Sequence, residues 1–136
     1  MELSSKWLSS YMEIAYIISK HSYAKKKQVG AIIVKDLRII STGYNGTPSG
    51  FPNACEDEQG ITYPEVLHAE SNAISKCAKS TESSEDSILF VTLSPCLECA
   101  KLIIQCGIKE VYYSQQYRDT RGIDLLNKAK IKTFGI

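Results

Sequence analysis

ILFVTLSPCLECAKLIIQCG, residues 88–107, is the stretch that decides the fold. Ile88–Thr92 is a short apolar and β-branched run, which predicts a buried strand. A helix is expected to open at Pro95. Ser94 has the side chain of an N-cap, Pro95 suits the first helical position, Ala100, Ile103 and Ile104 form an apolar face, and Gly107 suits the C-terminal cap. The predicted helix carries Cys96 and Cys99 in its first turn, three residues apart on one face, where both sulfurs can reach one ion. Free N–H groups and the macrodipole at a helix start favour the thiolate form that a metal requires.

Upstream, Leu8, Tyr11, Met12, Ala15 and Ile18 recur every three or four residues and predict a helix over 5–20. Val29–Lys35 and Arg38–Tyr44, joined by a polar link around Asp36, predict a β-hairpin. Residues 45–66 show neither period and hold several prolines and glycines, so they read as a long loop bordering a site. A helix over Leu67–Lys79 and the polar break STESSED lead into the strand at Ile88. A strand at Val111–Ser114, a helix over Asp119–Lys130 and a short strand at Ile131–Phe134 complete the chain. The order α-β-β-α-β-α-β-α-β predicts an α/β fold, a mixed sheet covered by helices on both faces. At 136 residues and 43% hydrophobic content, a single domain over 1–136 is expected.

The balance of 16 Lys and Arg against 15 Asp and Glu leaves a formal charge of +1, without the basic excess of nucleic-acid binders. Polymeric nucleic acid is therefore not an expected partner. No apolar run approaches the ~20 residues that span a bilayer, and no signal-peptide pattern opens the sequence. The expectation is a cytoplasmic protein with no membrane partner. Five cysteines, an odd number that includes a C-x-x-C, favour metal or thiol chemistry over a disulfide framework.

A structural zinc (Zn) site needs four protein ligands, whereas a catalytic one needs three and leaves a place for water. The candidates for a third ligand are His21, His68, Cys55, Cys77 and Cys106. His68 stands out because it begins a predicted helix and is followed by Glu70, giving H-A-E upstream of P-C-L-E-C. That conjunction is the known signature of zinc nucleobase deaminases. Positions two apart in a regular helix point about 200° apart, so His68 and Glu70 share a site only where the helix is just beginning. Two thiolates and a neutral imidazole balance the charge of Zn2+, which lowers the pKa of its water toward about 7. Hydroxide would attack carbon 4 of a cytosine ring while Glu70, near the metal but not bound to it, takes the proton, passes it to ring nitrogen 3 and protonates the departing amine. The competing interpretation makes Cys96 and Cys99 a structural or redox pair, His68 a helix-capping histidine and Glu70 surface charge. A lone C-x-x-C would leave that interpretation open, and the H-A-E upstream argues against it.

QVGAIIV (28–34), RIISTGYNGTPSG (38–50), HAESNAI (68–74) and LFVTLSPCLECAKLIIQCGIKEVYY (89–113) together resemble the deoxycytidylate deaminase branch of the cytidine deaminase superfamily. HAE and PCxxC are shared across the superfamily, while GYNG and the CAKLIIQ-x-GIKEV stretch are more particular to this branch. The resemblance implies a three-layer α/β/α fold with a five-stranded mixed sheet and zinc at the starts of two helices. It implies conversion of dCMP to dUMP and ammonia, supplying dUMP for thymidylate synthesis, in a homo-oligomer that is commonly a hexamer. It also implies dCTP as activator and dTTP as inhibitor, with magnesium (Mg) accompanying a bound triphosphate effector.

Carried over by position, Asn45 of GYNG would bind the sugar hydroxyl, with Gly43 and Gly46 allowing close backbone approach; an Asn-Gly turn without a ligand is the alternative. Ala69 and Ser94, inside the two zinc motifs, are further substrate contacts by resemblance. Tyr117 and Arg118 sit where relatives place phosphate or base contacts, and an Arg fork suits a phosphate; an exposed loop Arg without a ligand is the alternative. Lys25, Lys26 and Lys27, with Tyr44 and Gly46, are candidates for phosphate or regulatory contacts, although a charge run is usually only a solvated face. Here the chain departs from the family, carrying Ser22, Tyr23 and Ala24 before its lysines where many relatives have a Ser-Arg-Asp-Pro-like stretch. Phe51 replaces a Cys that relatives often have, and with only Cys55 and His21 nearby a second, structural zinc is not expected. Cys77 and Cys106 are expected as small buried thiols, and Trp7, Tyr11, Tyr16, Tyr112 and Tyr113 as core or subunit contacts. The rival functions are a bifunctional dCMP/dCTP deaminase, a deaminase of tRNA or another base, and an inactive zinc-binding module. The tRNA reading would call for a more basic chain lacking GYNG, and the inactive module is disfavoured by an intact Glu70.

Overall fold

In a computed structural model that describes residues 3–136, the elements follow the predicted order. They are α1 (Ser5–Ser19), β1 (Gly30–Lys35), β2 (Arg38–Tyr44), α2 (Ala69–Lys79), β3 (Ile88–Leu93), α3 (Leu97–Gln105), β4 (Glu110–Gln115), α4 (Arg121–Lys128) and β5 (Lys132–Gly135). The five strands form one sheet in the order β2-β1-β3-β4-β5. β1 runs antiparallel to both β2 and β3, while β3, β4 and β5 are parallel, joined through α3 and α4.

The period-two alternation of strand side chains builds two cores from the same residues of sequence. From β1, Ala31 and Ile33 point to the face where Leu89, Val91 and Val111 meet Ala69, Ala73 and Cys77 of α2, Ala100 and Ile103 of α3, and Leu126 of α4. Ile32 and Val34 point the other way and pack with Phe90 and Tyr112 against Tyr11, Met12 and Ala15 of α1. One helix on one face and three on the other make the three-layer α/β/α fold. The nearly unbroken apolar run of β1 follows from its burial between both layers. Among the described residues, no helix is long and apolar enough to cross a membrane.

The β1–β2 turn places Asp36 and Leu37 at φ 53° and 62°, the left-handed region required of a two-residue hairpin loop. A leucine there stores about 1–2 kcal/mol of strain. Leu37→Gly keeps the backbone carbonyl that accepts the Tyr11 hydroxyl. Because glycine also gains freedom in the unfolded chain, the expected net stabilisation is up to about 1 kcal/mol, read as a higher urea midpoint at unchanged slope.

α2 starts at Ala69, two residues later than the Leu67 start read from the sequence, and two further helix boundaries and the reading of one loop are also corrected. α3 starts at Leu97 with Cys96 as its N-cap, two residues later than the Ser94 cap and Pro95 start read from the sequence. Ser94 is occupied elsewhere: its N–H donates to the Gln115 carbonyl and its hydroxyl accepts from the Tyr117 N–H, at 2.8 and 2.6 Å. α4 is shorter than 119–130, because the Asp119 carboxylate accepts from the Arg121 N–H ahead of the first turn and Lys130, at φ 64°, ends it. The 45–66 loop is not wholly irregular. Glu56 and Thr62 form an antiparallel bridge, flanked by Tyr63 N–H to Cys55 carbonyl and Asp57 N–H to Ile61 carbonyl bonds, and Gly46 bridges Leu67. Cys77 is buried as expected, whereas Cys106, at the C-terminal cap of α3, is only half-buried.

Candidate active site

The N-termini of α2 and α3 meet at one site. His68 is the N-cap of α2 (φ −75°, ψ 161°), and Cys96 is the N-cap of α3 (φ −77°, ψ 173°). Neither side chain makes a capping hydrogen bond, so the imidazole and the thiol are not consumed by their own helices. This removes the helix-capping interpretation of His68. His68 Nδ1 lies 3.4 Å from Cys96 Sγ and 3.5 Å from Cys99 Sγ. Tetrahedral zinc, with Zn–S about 2.3 Å and Zn–N about 2.0 Å, separates its nitrogen and sulfur ligands by about 3.5 Å. The three side chains are therefore already at the spacing the ion imposes, and among the described residues they are the group able to hold a metal.

The electrostatics agree with that use. The neighbouring Cys99 thiol, followed by the His68 imidazole, lowers the Cys96 thiol to about 3, while the same proximity and burial push Cys99 up. Cys96 in turn raises the pKa of His68. Glu70, in the first turn of α2 and only 4% exposed, is raised by burial to about 7. A carboxyl poised near neutrality both accepts and gives protons readily, the property demanded of a shuttle.

His68, Glu70 and Cys96 open on a cavity of about 290 Å³. Of the residues singled out in the sequence, Lys26, Lys27, Asn45, Ala69, Ser94 and Tyr117 also line it. Lys25, Tyr44, Gly46 and Arg118 do not. Arg118 is exposed, one residue beyond Tyr117. Tyr44 instead packs near His21 and beneath Lys76, whose Nζ lies 5.6 Å from the ring centroid. Asn45 is more than an Asn-Gly turn: its Oδ1 accepts from the Val29 N–H at 2.9 Å and its Nδ2 donates to the Lys27 carbonyl at 2.8 Å. Each amide atom keeps one further hydrogen-bonding position. The close approach expected at Gly43 is to a helix and not to a ligand, since a Cβ there would lie 2.5 Å from the Ala69 carbonyl oxygen and the Ala73 nitrogen. That contact lets α2 bring His68 and Glu70 down beside β2. Gly46 shows no comparable crowding. Cys55, Glu56, Thr62 and Val66 also line the cavity, and no motif in the loop marked them.

The sequence pattern of the cytidine and deoxycytidylate deaminase zinc-binding region matches residues 5–115, which include all three candidate ligands and Glu70. The chain belongs to this family. It is 34% identical to the deoxycytidylate deaminase of Enterobacteria phage T4, over 94% of this chain and 89% of that protein. It is 39% identical to the Homo sapiens deoxycytidylate deaminase, over 85% of this chain and 68% of that protein. A crystal structure of dCMP deaminase from the cyanophage S-TIM5, in complex with dCMP and dUMP, superposes with a TM-score of 0.97 at 47% identity, covering 99% of this chain and 100% of that one. Family membership identifies the metal as zinc, and the donor set of two thiols and one imidazole fits that ion.

Proposed function

We propose that this chain, as a single domain, hydrolyses dCMP to dUMP and ammonia, supplying dUMP for thymidylate synthesis. The observation that carries the reading is the zinc-spaced His68, Cys96 and Cys99 group opening on the same cavity as a buried Glu70. When bound there, zinc supplies the Lewis acidity that makes water nucleophilic near neutral pH. Glu70 takes a proton from the attacking water and delivers it to ring nitrogen 3. With nitrogen 3 protonated and the water oxygen bonded to carbon 4, Glu70 takes the remaining hydroxyl proton and gives it to the exocyclic amine, which leaves as ammonia as the carbon–nitrogen bond breaks and the carbonyl of uracil forms. Asn45 offers its remaining amide positions to the sugar, and Ala69 and Ser94 line the side of the cavity formed by the two zinc motifs.

The phosphate is assigned to cations at the cavity, Lys26 and Lys27 in its wall and the exposed Arg118 beside Tyr117. Ser94 pins the Tyr117 backbone, which keeps Arg118 within one residue of the wall. Arg118→Ala is expected to raise the KM for dCMP several-fold with less effect on deoxycytidine, which lacks the phosphate. Equal effects on the two would remove Arg118 from the phosphate site.

The family resemblance extends the proposal to activation by dCTP, inhibition by dTTP with Mg2+ accompanying the triphosphate, a homohexamer, and a cytoplasmic location. The test is uracil formation by the zinc-loaded protein from dCMP, dCTP, CMP and deoxycytidine, each with and without dCTP or dTTP as effector. A clear preference for dCMP is expected. Deoxycytidine turned over as well as dCMP would overturn the substrate assignment, and unchanged rates with both effectors would overturn the regulatory one.

A further inference from the structure

The segment between α1 and β1 carries the basic run, yet it belongs to no helix or strand, so something else must hold its lysines in the cavity wall. Its backbone is gripped from two sides. Asn45 takes the Lys27 carbonyl, and the Glu56 carboxylate takes the next two positions upstream, accepting from the Lys25 N–H at 3.1 and 3.0 Å through its two oxygens and from the Lys26 N–H at 3.2 Å. Glu56 lines the cavity and is itself fixed by its bridge to Thr62 in the small 55–63 hairpin. One more contact braces the same joint: Lys27 Nζ donates to Gln115 Oε1 at the end of β4.

We propose that Glu56 is a positioning residue for substrate phosphate, locking the Lys25–Lys27 backbone to the 55–63 hairpin so that Lys26 and Lys27 stand in the cavity wall before substrate arrives. A carboxylate accepting from consecutive main-chain N–H groups makes charge-assisted bonds, stronger than neutral ones. Ordering the segment in advance spares the bound state the entropy of immobilising it, a gain that appears in substrate affinity and not in the chemical step. The proposal rests on the reading of dCMP as substrate. Glu56 is distant in mechanism from the metal: it shares no contact with His68, Cys96 or Cys99 among the hydrogen bonds of the described residues.

Glu56→Ala leaves the Lys25 and Lys26 N–H groups exposed to water, so the chain should fold and keep its zinc. The expected result is a KM for dCMP raised about tenfold with kcat within about threefold of wild type, kcat/KM for deoxycytidine little changed, and faster amide exchange at Lys25 and Lys26. Glu56→Gln, which retains an acceptor oxygen, is expected to recover most of the wild-type KM. An unchanged KM for dCMP, equal losses on dCMP and deoxycytidine, or a Gln variant as impaired as the Ala variant would each overturn the positioning role. A wild-type protein that fails to prefer dCMP over deoxycytidine would overturn the substrate reading itself, and that comparison needs no variant.

Discussion

Glu70→Gln is expected to retain zinc at the wild-type stoichiometry and to lower kcat about 10³- to 10⁴-fold, checked by metal analysis and a dCMP turnover assay. The zinc expectation follows from geometry: the atoms spaced for the ion belong to His68, Cys96 and Cys99, and Glu70 is not among them. The loss of turnover follows from chemistry. Glutamine has nearly the same shape and keeps hydrogen-bonding groups in the buried site, but its amide cannot take a proton from water or hand one to a leaving amine. Each transfer assigned to the carboxylate fails at once, which places the effect at the upper end for a general acid–base residue. Glu70→Ala would confound this result by enlarging the cavity and admitting extra water where the buried carboxyl now stands. Near-normal turnover in the Gln variant would sink the proton-shuttle role, and loss of zinc would show that Glu70 supports the metal as well.

The parts of the site legible in the sequence were those whose chemistry is local. H-A-E and P-C-x-x-C each lie within a few residues, and both depend on where a helix begins, a property that caps and apolar spacing reveal to within two residues. The sheet was legible for the same reason, since the alternation of Ala31 and Ile33 against Ile32 and Val34 assigns each residue a face without knowledge of its neighbours. The misreadings come from long-range hydrogen bonds. Ser94 has every local attribute of an N-cap, but its hydroxyl is taken by the N–H of Tyr117, 23 residues along the chain, and the cap passes to Cys96. Glu56 sits in a stretch with no period, and its role exists only because the Lys25 and Lys26 N–H groups, about thirty residues upstream, arrive beside it. Gly43 was read as room for a ligand, whereas the neighbour that needs the room is the backbone of α2.

Gly122→Ala is expected to weaken zinc retention and to destabilise the folded protein by about 1–3 kcal/mol, the usual range for overpacking a filled interior. Gly122 is the second residue of α4 and carries no chemistry, but a Cβ built on it would lie 2.1 Å from the Pro95 carbonyl oxygen and 2.7 Å from the Cys96 carbonyl oxygen. Those atoms are backbone and cannot rotate away as a side chain would. Either α4 moves off the sheet, uncovering Leu126, or the Pro95–Cys96 peptide moves and takes Cys96 Sγ with it. The second route disturbs a set of ligands whose 3.4 and 3.5 Å spacings match zinc, so the cost should fall more heavily on the metal-loaded form. The difference is measurable by competing the zinc away with a chelator and by comparing thermal midpoints of the zinc-loaded and zinc-free proteins. A variant with lowered midpoints in both forms but wild-type zinc affinity would show that α4 yields and the ligand turn does not. A variant with weaker zinc and a nearly unchanged zinc-free midpoint would show that the close approach of α4 to Pro95 is what holds Cys96 in place.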